Sequence, residues 1–122
     1  RSGGRIGSRG IGTRFLLLEH TGAKTGAARV TPLLYAPDGN RFVVAASNAG
    51  SDRPPAWWVN LQAHPDVSVR VGRKAVLVHA RRAEGDEATR LWALLEESWK
   101  LFDEYRAATE REIPVVVLEP RG

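Results

Sequence analysis

The sequence contains no cysteine and no methionine among its 122 residues, and it has no long apolar run. Without cysteine the protein can form neither a disulfide nor a thiolate metal site, and it has no thiolate nucleophile. Because no stretch of about 18 apolar residues occurs, the sequence predicts no helix that crosses a bilayer. The 43% hydrophobic content and four tryptophans are instead sufficient for one packed domain.

We expect that an N-terminal segment is missing, because the sequence begins at Arg1, contains no methionine and shows no signal peptide. The lack of cysteine permits a reducing compartment. We therefore expect a cytoplasmic protein, with peripheral membrane association through the missing segment as a further expectation.

Excess positive charge is confined to the N-terminus. Arg1, Arg5, Arg9 and Arg14 have no acidic residue among them, and the remaining chain has 14 basic and 14 acidic residues. We divide the chain into a basic, glycine-rich arm, residues 1–14, and one domain, residues 15–122. A DNA-binding domain normally has a basic face on its folded part. Nucleic-acid binding through the arm is thus a less favoured alternative, and no nucleic-acid partner is expected.

Hydrophobic periodicity and turn residues predict six strands and two or three helices. The first helix is expected to follow Pro54-Pro55 and to end before Pro65. A second is expected after the candidate N-cap Asp86, and a further helical stretch over Trp99 to Ala108. Most strands are joined by hairpins, which favours a small six-stranded antiparallel β-barrel, mainly β with inserted helices. The predicted strands are Phe15 to Glu19, Val30 to Ala36, Arg41 to Ala46, Val67 to Val71, Lys74 to Arg82 and Ile113 to Leu118.

Several common motifs fail on inspection. Gly22-Ala23-Lys24-Thr25-Gly26 lacks the glycine that precedes the lysine of a P-loop, and a strand follows it rather than a helix. Gly10-Ile11-Gly12 lacks the third glycine of the dinucleotide fingerprint. The sequence shows no recognisable Ser-His-Asp arrangement. No metal site is predicted, because the histidines lie on different elements without paired-ligand spacing: His20, His64 and His79.

Three features are candidates for ligand binding. Lys24 and Arg29 are either ordinary solvated side chains or, together with turn N–H groups, converge on one anion. The polar loop Ser47 to Ser51 is either an ordinary loop or a source of donors near a ligand. Trp57 and Trp58 project about 100° apart on a helix, so one can face the core and the other the solvent or a ligand.

Five motifs occur in a characteristic order: Gly-Ala-Lys-Thr-Gly, Arg-Val-Thr-Pro-Leu, Val-Val-Ala-Ala-Ser-Asn, Pro-Ala-Trp-Trp-Val-Asn-Leu-Gln-Ala-His-Pro and Glu-Arg-Glu-Ile-Pro-Val-Val-Val-Leu. From about Gly4 to Leu118 the chain resembles the deazaflavin-dependent nitroreductase family, the coenzyme F420-dependent quinone reductases of actinobacteria. The resemblance implies a split β-barrel like that of flavin-binding pyridoxamine-phosphate oxidases. It also implies hydride transfer from reduced F420 to a quinone, nitroaromatic or activated enone. An FMN-binding, oxidase-like barrel is the alternative.

The resemblance also assigns cofactor-binding roles. The phosphate and acidic tail would be held by Lys24, Thr25, Gly26 and Arg29. The deazaflavin would be lined by Ser47, Asn48, Ala49 and Gly50 and flanked by Trp57, Trp58 and Asn60. The family often has Arg or Lys at the positions of Ala23 and Asn48, so tail binding is expected to be weaker or differently arranged here.

Trp99, Phe102 and Tyr105 share one broad face of the last predicted helix. They either belong to the core or, as the resemblance implies, bind the electron acceptor. Tyr105 alone among them has a hydroxyl group, which would orient or protonate the acceptor as the catalytic residue. Quinone reduction is therefore favoured over reduction of bicyclic nitroimidazoles. The expected partner is a small-molecule acceptor, and the protein is expected to be a monomer or homodimer.

Overall fold

Seven strands form one sheet in a computed structural model that describes residues 15–47, 54–99, 107 and 113–121. Across the sheet the order is β2-β1-β5-β6-β7-β4-β3, and the neighbouring strands are antiparallel. The predicted antiparallel architecture with inserted helices is confirmed. The elements are β1 (Phe15–Thr21), β2 (Ala28–Leu34), β3 (Ala36–Asp38), β4 (Arg41–Ala45), α1 (Ala56–Ala63), β5 (Asp66–Val71), β6 (Lys74–Arg82), α2 (Gly85–Ser98) and β7 (Val115–Pro120).

The sheet is curled, as the connection between its outermost strands requires. In a flat sheet of this order β2 and β3 would lie about 29 Å apart, given a strand spacing of about 4.8 Å. Tyr35 alone separates the two strands in sequence. Because one residue spans at most about 3.6 Å, the end of β2 lies beside the start of β3, and the sheet curls into a half-barrel.

The prediction of six strands is wrong by one. The run predicted as Val30 to Ala36 changes its pairing partner at Tyr35, since β2 pairs with β1 whereas β3 pairs with β4. Pro37, predicted to belong to the hairpin connection, lies within β3. Proline is tolerated there because β3 is an outermost strand of the sheet order, where one side of the backbone has no ladder partner.

Two hydrophobic clusters cover the two faces of the curled sheet. The first contains Leu16, Leu18, Val69 and Val78 together with residues of α1. The second lies under α2 and contains Leu91 and Leu95. Strand β7 is buried on both faces, which explains its unbroken apolar sequence: Val116 and Leu118 belong to the first cluster, and Val115 and Val117 to the second.

The helix boundaries agree closely with the prediction for α1 and differ for α2. Helix α1 begins after Pro55, as predicted, and ends at Ala63, one residue before the predicted end at His64. The N-cap of α2 is Glu84, and the predicted cap Asp86 lies in the first turn. Trp99 has extended dihedral angles, φ −143° and ψ 104°, so the helix predicted from Trp99 does not begin there. No helix in the described ranges is long and apolar enough to span a membrane.

An ion-pair network joins the first turn of α2 to the sheet. Arg81 donates hydrogen bonds to Glu87 Oε1 at 2.6 Å and to Glu119 Oε1 at 3.1 Å. Arg41 lies 3.4 Å from Glu87 Oε2 and also pairs with Asp38. The hydrogen bonds from Arg81, assisted by its charge and that of Arg41, hold the pKa of Glu87 at about 2 instead of 4.5.

Replacing Glu87 by glutamine should make the protein less stable at neutral pH. The folded-state pKa of Glu87 is depressed, so its contribution is present above pH 4.5 and is lost as the pH falls towards about 2. Because the network is partly solvated, we expect a loss of about 1 kcal/mol in the free energy of unfolding near pH 7. Urea titrations should show this difference narrowing near pH ~3. Glu97→Gln, at an exposed position of α2, is the control, and equal effects of the two substitutions would contradict the assignment.

Candidate functional site

A tight turn, residues 22–27, joins β1 to β2 and is stabilised by its own backbone. The Gly22 amide donates to the Ala27 carbonyl at 2.9 Å, and the Gly26 amide donates to the Gly22 carbonyl at 2.9 Å. Thr25 Oγ1 accepts a further bond from the Ala27 amide at 3.2 Å. Gly26 has φ 71°, a region that favours glycine. The turn is therefore preformed without a ligand.

Two backbone amides of the turn remain for a ligand. The N–H groups of Gly22, Gly26 and Ala27 bond within the turn, and that of Ala23 bonds to a side chain of α1. Among the described residues, the N–H groups of Lys24 and Thr25 have no partner, and both residues are exposed. The expected convergence of several turn N–H groups is thus limited to these two.

Arg29 brings a second cation to the turn. It lies opposite His20 in the β1–β2 register, and its Nε is 3.4 Å from the point that a Cβ on Gly22 would occupy. The same Cβ would lie 2.6 Å from Thr25 Oγ1, so a side chain at position 22 would displace the Thr25 hydroxyl. Within the described ranges neither Lys24 nor Arg29 forms an ion pair. Two cations beside two free amides provide the donors that an anion requires.

The Asn60 side chain connects α1 to the turn and to β1. Its Oδ1 accepts a hydrogen bond from the Ala23 amide at 2.9 Å. Because a backbone N–H can only donate, this bond fixes the carboxamide orientation, and Nδ2 donates to His20 Nδ1 at 3.0 Å. His20 Nδ1 therefore carries no proton. The ring proton lies on Nε2, which donates to Thr31 Oγ1 at 2.9 Å.

His20 is held in its uncharged form. Burial lowers its pKa below 6.5, and the positive charge of Arg29 lowers it further. His20 is 5% exposed and Asn60 is 7% exposed, so water does not compete freely for their hydrogen bonds. The sequence indicated only a structural or surface histidine. It gave no local signal for this contact, because Asn60 lies 40 residues further along the chain.

Both tryptophans of α1 lie in the core. Trp57 is 6% and Trp58 is 7% exposed, and their rings meet edge to face with centroids 6.5 Å apart. The alternative in which one ring faces the solvent is therefore wrong. Their packing instead holds α1, and with it Asn60, against the sheet. That they flank a cofactor stays a prediction.

The other described site residues, Ser47 and Trp99, follow β4 and α2 in the chain. Ser47 is 7% exposed and directly follows Ala46, whose amide donates to the Pro114 carbonyl at 2.9 Å. Trp99 packs on the second cluster and donates from Nε1 to the Tyr35 carbonyl at 3.1 Å. Outside the described residues lie Asn48, Ala49, Gly50, Phe102 and Tyr105. Within the described ranges, no three potential metal ligands cluster.

Known sequences match nearly the whole chain. The sequence model of F420H(2)-dependent quinone reductases matches residues 1–120. The chain belongs to this family. It is 43% identical over 122 residues to an F420H(2)-dependent quinone reductase of Mycobacterium tuberculosis (strain H37Rv), an alignment that covers 97% of this chain and 82% of the relative.

Solved structures agree with the family. A structure of an F420-H2 dependent reductase superposes with a TM-score of 0.81 at 35% identity, covering 88% of this chain and 95% of that chain. A pyridoxamine 5′-phosphate oxidase-like protein of Listeria innocua shares the fold alone, with a TM-score of 0.62 at 12% identity, covering 89% of this chain and 85% of that chain. The predicted family is thus confirmed. As a member, the protein is an oxidoreductase that uses coenzyme F420 and acts on a small-molecule acceptor.

Replacing Asn60 by alanine should destabilise the fold. The substitution leaves the Ala23 amide and His20 Nδ1 without partners, and one unsatisfied buried polar group costs about 1 to 3 kcal/mol. We expect a loss in that range in the free energy of unfolding, measured by urea titration without cofactor. Gln62→Ala removes an exposed carboxamide from the same helix and should have almost no effect. Equal stability of the two variants would show that the Asn60 bonds contribute nothing.

Proposed function

We propose that the turn at residues 22–27 binds the acidic tail of F420, and that the protein reduces a quinone with hydride from this cofactor. The observation that carries the proposal is the pairing of two exposed cations, Lys24 and Arg29, with the free amides of Lys24 and Thr25. The family requires a cofactor with a phosphate and an acidic tail, and this turn offers matching donors. FMN also carries a phosphate, so the preference for F420 over the FMN alternative rests on the family, and the turn supplies a site for the tail.

The charges elsewhere on the sheet support the turn as the anion-binding site. Arg41, Arg81 and Arg90 are neutralised by carboxylates of the network at α2. Lys24 and Arg29 lack such partners in the described part of the chain and are free to bind an anion. Arginine presents a planar fork to phosphate or carboxylate, and lysine adds a compact charge. Ala23 supplies no third cation for the tail, and its backbone amide is bonded to Asn60.

The residues of this chain act by binding and orientation. When bound, the reduced deazaflavin supplies the hydride. Lys24, Thr25 and Arg29 would fix the tail, and Ser47, Asn48, Ala49 and Gly50 would line the ring beside α1. We assign Asn60 a different role from the one expected, because both polar atoms of its carboxamide are already bonded to Ala23 and His20. It shapes the turn.

The acceptor would lie against Trp99, Phe102 and Tyr105. A quinone takes up a hydride and a proton to form a hydroquinone, so a donor near its oxygen favours the reaction. Trp99 Nε1 is already bonded to the Tyr35 carbonyl. Tyr105 is therefore the hydroxyl that we assign to this role. Nitroaromatics and activated enones are further candidate acceptors. The monomeric or homodimeric state, the cytoplasmic location and membrane association remain predictions.

Lys24→Ala and Arg29→Ala should each weaken F420 binding. One charge-assisted hydrogen bond contributes about 1.5 to 3 kcal/mol, which corresponds to roughly 10- to 100-fold in the dissociation constant. Fluorescence titration with F420 measures the dissociation constant directly. A deazaflavin without the tail should bind both variants as it binds the wild type, and thermal stability without cofactor should not change. Arg70→Ala removes an equal charge from an exposed position on β5. Equal weakening by Arg70→Ala would mean that only net charge matters.

Tyr105→Phe should slow the reduction of a quinone. Loss of one donor or acid at the reacting oxygen lowers kcat/KM by roughly 10- to 1000-fold. F420 affinity should remain unchanged, because the tail contacts lie on β2 and the turn that precedes it. Steady-state kinetics with menadione test this, and Phe102→Tyr, which restores a second hydroxyl, should favour more polar acceptors such as nitroimidazoles. Unchanged menadione turnover in Tyr105→Phe would place the acceptor elsewhere.

A further inference from the structure

The buried pair His20 and Asn60 lies behind the turn that carries Lys24. A continuous series of hydrogen bonds runs from Thr31 Oγ1 through His20 and Asn60 to the Ala23 amide, with distances of 2.9, 3.0 and 2.9 Å. The Ala23 amide immediately precedes the two free amides of the turn. The state of the His20 ring is therefore linked through bonds to the place where an anion would bind.

The geometry points to His20 as a positioning residue for the F420 tail: only its neutral Nε2–H form lets Asn60 hold the Ala23 amide, and protonation of His20 releases the turn. This inference rests on the proposed binding of the tail at residues 22–27. His20 itself need not touch the cofactor, since it acts through Asn60.

A protonated His20 is incompatible with the series in either orientation of the Asn60 amide. In the observed orientation the new Nδ1–H would face the Asn60 Nδ2 donor. Rotation of the carboxamide by half a turn would give His20 an acceptor, but Nδ2 would then face the Ala23 N–H. Each arrangement leaves two donors opposed at a buried position, so one of the two bonds is lost.

Several charged groups lie near His20 and influence how its protonation changes anion binding. Arg29 lies across from it on β2, Lys24 follows in the turn, and α1 faces it with the uncharged Asn60. Glu19, its neighbour on β1, accepts a bond from Ser68 of β5 at 2.6 Å. On β5, Asp66 is paired with His79, and Arg70 lies opposite Leu17.

Protonation of His20 has two opposing effects on binding of the F420 tail. The direction in which affinity changes with pH therefore tests the positioning role. A positive charge on His20 attracts the anionic tail and alone would strengthen binding in acid. Release of the turn weakens binding, because the donors are no longer held in place. The positioning role predicts that the second effect dominates as the pH falls below 6.5, the ordinary pKa of the group.

The test compares the wild type with His20→Asn. The asparagine carbonyl can accept the bond from Asn60, but it does not titrate, so pH effects that belong to the cofactor cancel in the comparison. Fluorescence titrations with F420 should give similar affinities for the two proteins near pH 7.5. At a pH where nitrogen-15 spectra show His20 to be protonated, the wild type should bind more weakly by about two- to tenfold, the effect of one lost hydrogen bond. His79→Asn, at an exposed histidine of β6, should follow the wild type.

A second readout needs no cofactor. Nitrogen-15 spectra of the free protein should show His20 with its proton on Nε2, and the Ala23 amide should exchange with solvent more readily as His20 becomes protonated. In His20→Asn that acid-dependent loss of protection should disappear. A constant affinity ratio, tighter wild-type binding in acid, or an Nδ1–H tautomer would each overturn the inference. If Lys24→Ala leaves F420 affinity unchanged, the proposed tail site itself fails, whatever His20 does.

Discussion

The hydrogen bond between the Asn60 carboxamide and the Ala23 amide is the contact on which the candidate site depends. It joins residues 37 positions apart in sequence, and it fixes the turn to a helix that is itself anchored in the core. Trp57, Trp58 and Leu61 bury the inner face of α1 in the first hydrophobic cluster, so Asn60 has little freedom to move. The turn's own hydrogen bonds determine its shape, and the packing of α1 fixes its position through Asn60.

The charged residues near α2 and those at the turn differ in whether they are paired. At α2 the arginines are matched by Asp38, Glu87 and Glu119, which secure the helix to the sheet and leave little net field. At the turn, Lys24 and Arg29 lack partners among the described residues, and the buried histidine behind them is kept neutral. A neutral His20 avoids a third positive charge at close quarters, which would repel Arg29 in the absence of an anion.

Local patterns predicted the parts of the fold that local chemistry determines. Alternation in β5 and β6, with Gly72 at φ 61° between them, gave a correct hairpin, and the prolines at either end of α1 gave its boundaries. The predictions failed where tertiary pairing decides. The change of partner at Tyr35 has no counterpart in the sequence pattern, so Ala36 was joined to the preceding strand and the rest of β3 was taken for a turn.

The same distinction holds for the site. Lys24 and Arg29 were predicted because a glycine turn brings them together locally. The role of His20 was missed, because it depends on a helix that enters from elsewhere in the chain. Asn60 was expected to contact the cofactor, whereas both polar atoms of its carboxamide bond to the protein.

Parallel fluorescence titrations of the purified protein with F420, with its tail-less deazaflavin and with FMN test the central claim most directly. A site built from two cations and two free amides should bind F420 more tightly than the tail-less form, by roughly 100-fold or more if both cations act. FMN should bind more weakly than F420. Tight binding of FMN with no response to F420, or equal affinity for the two deazaflavins, would contradict the account.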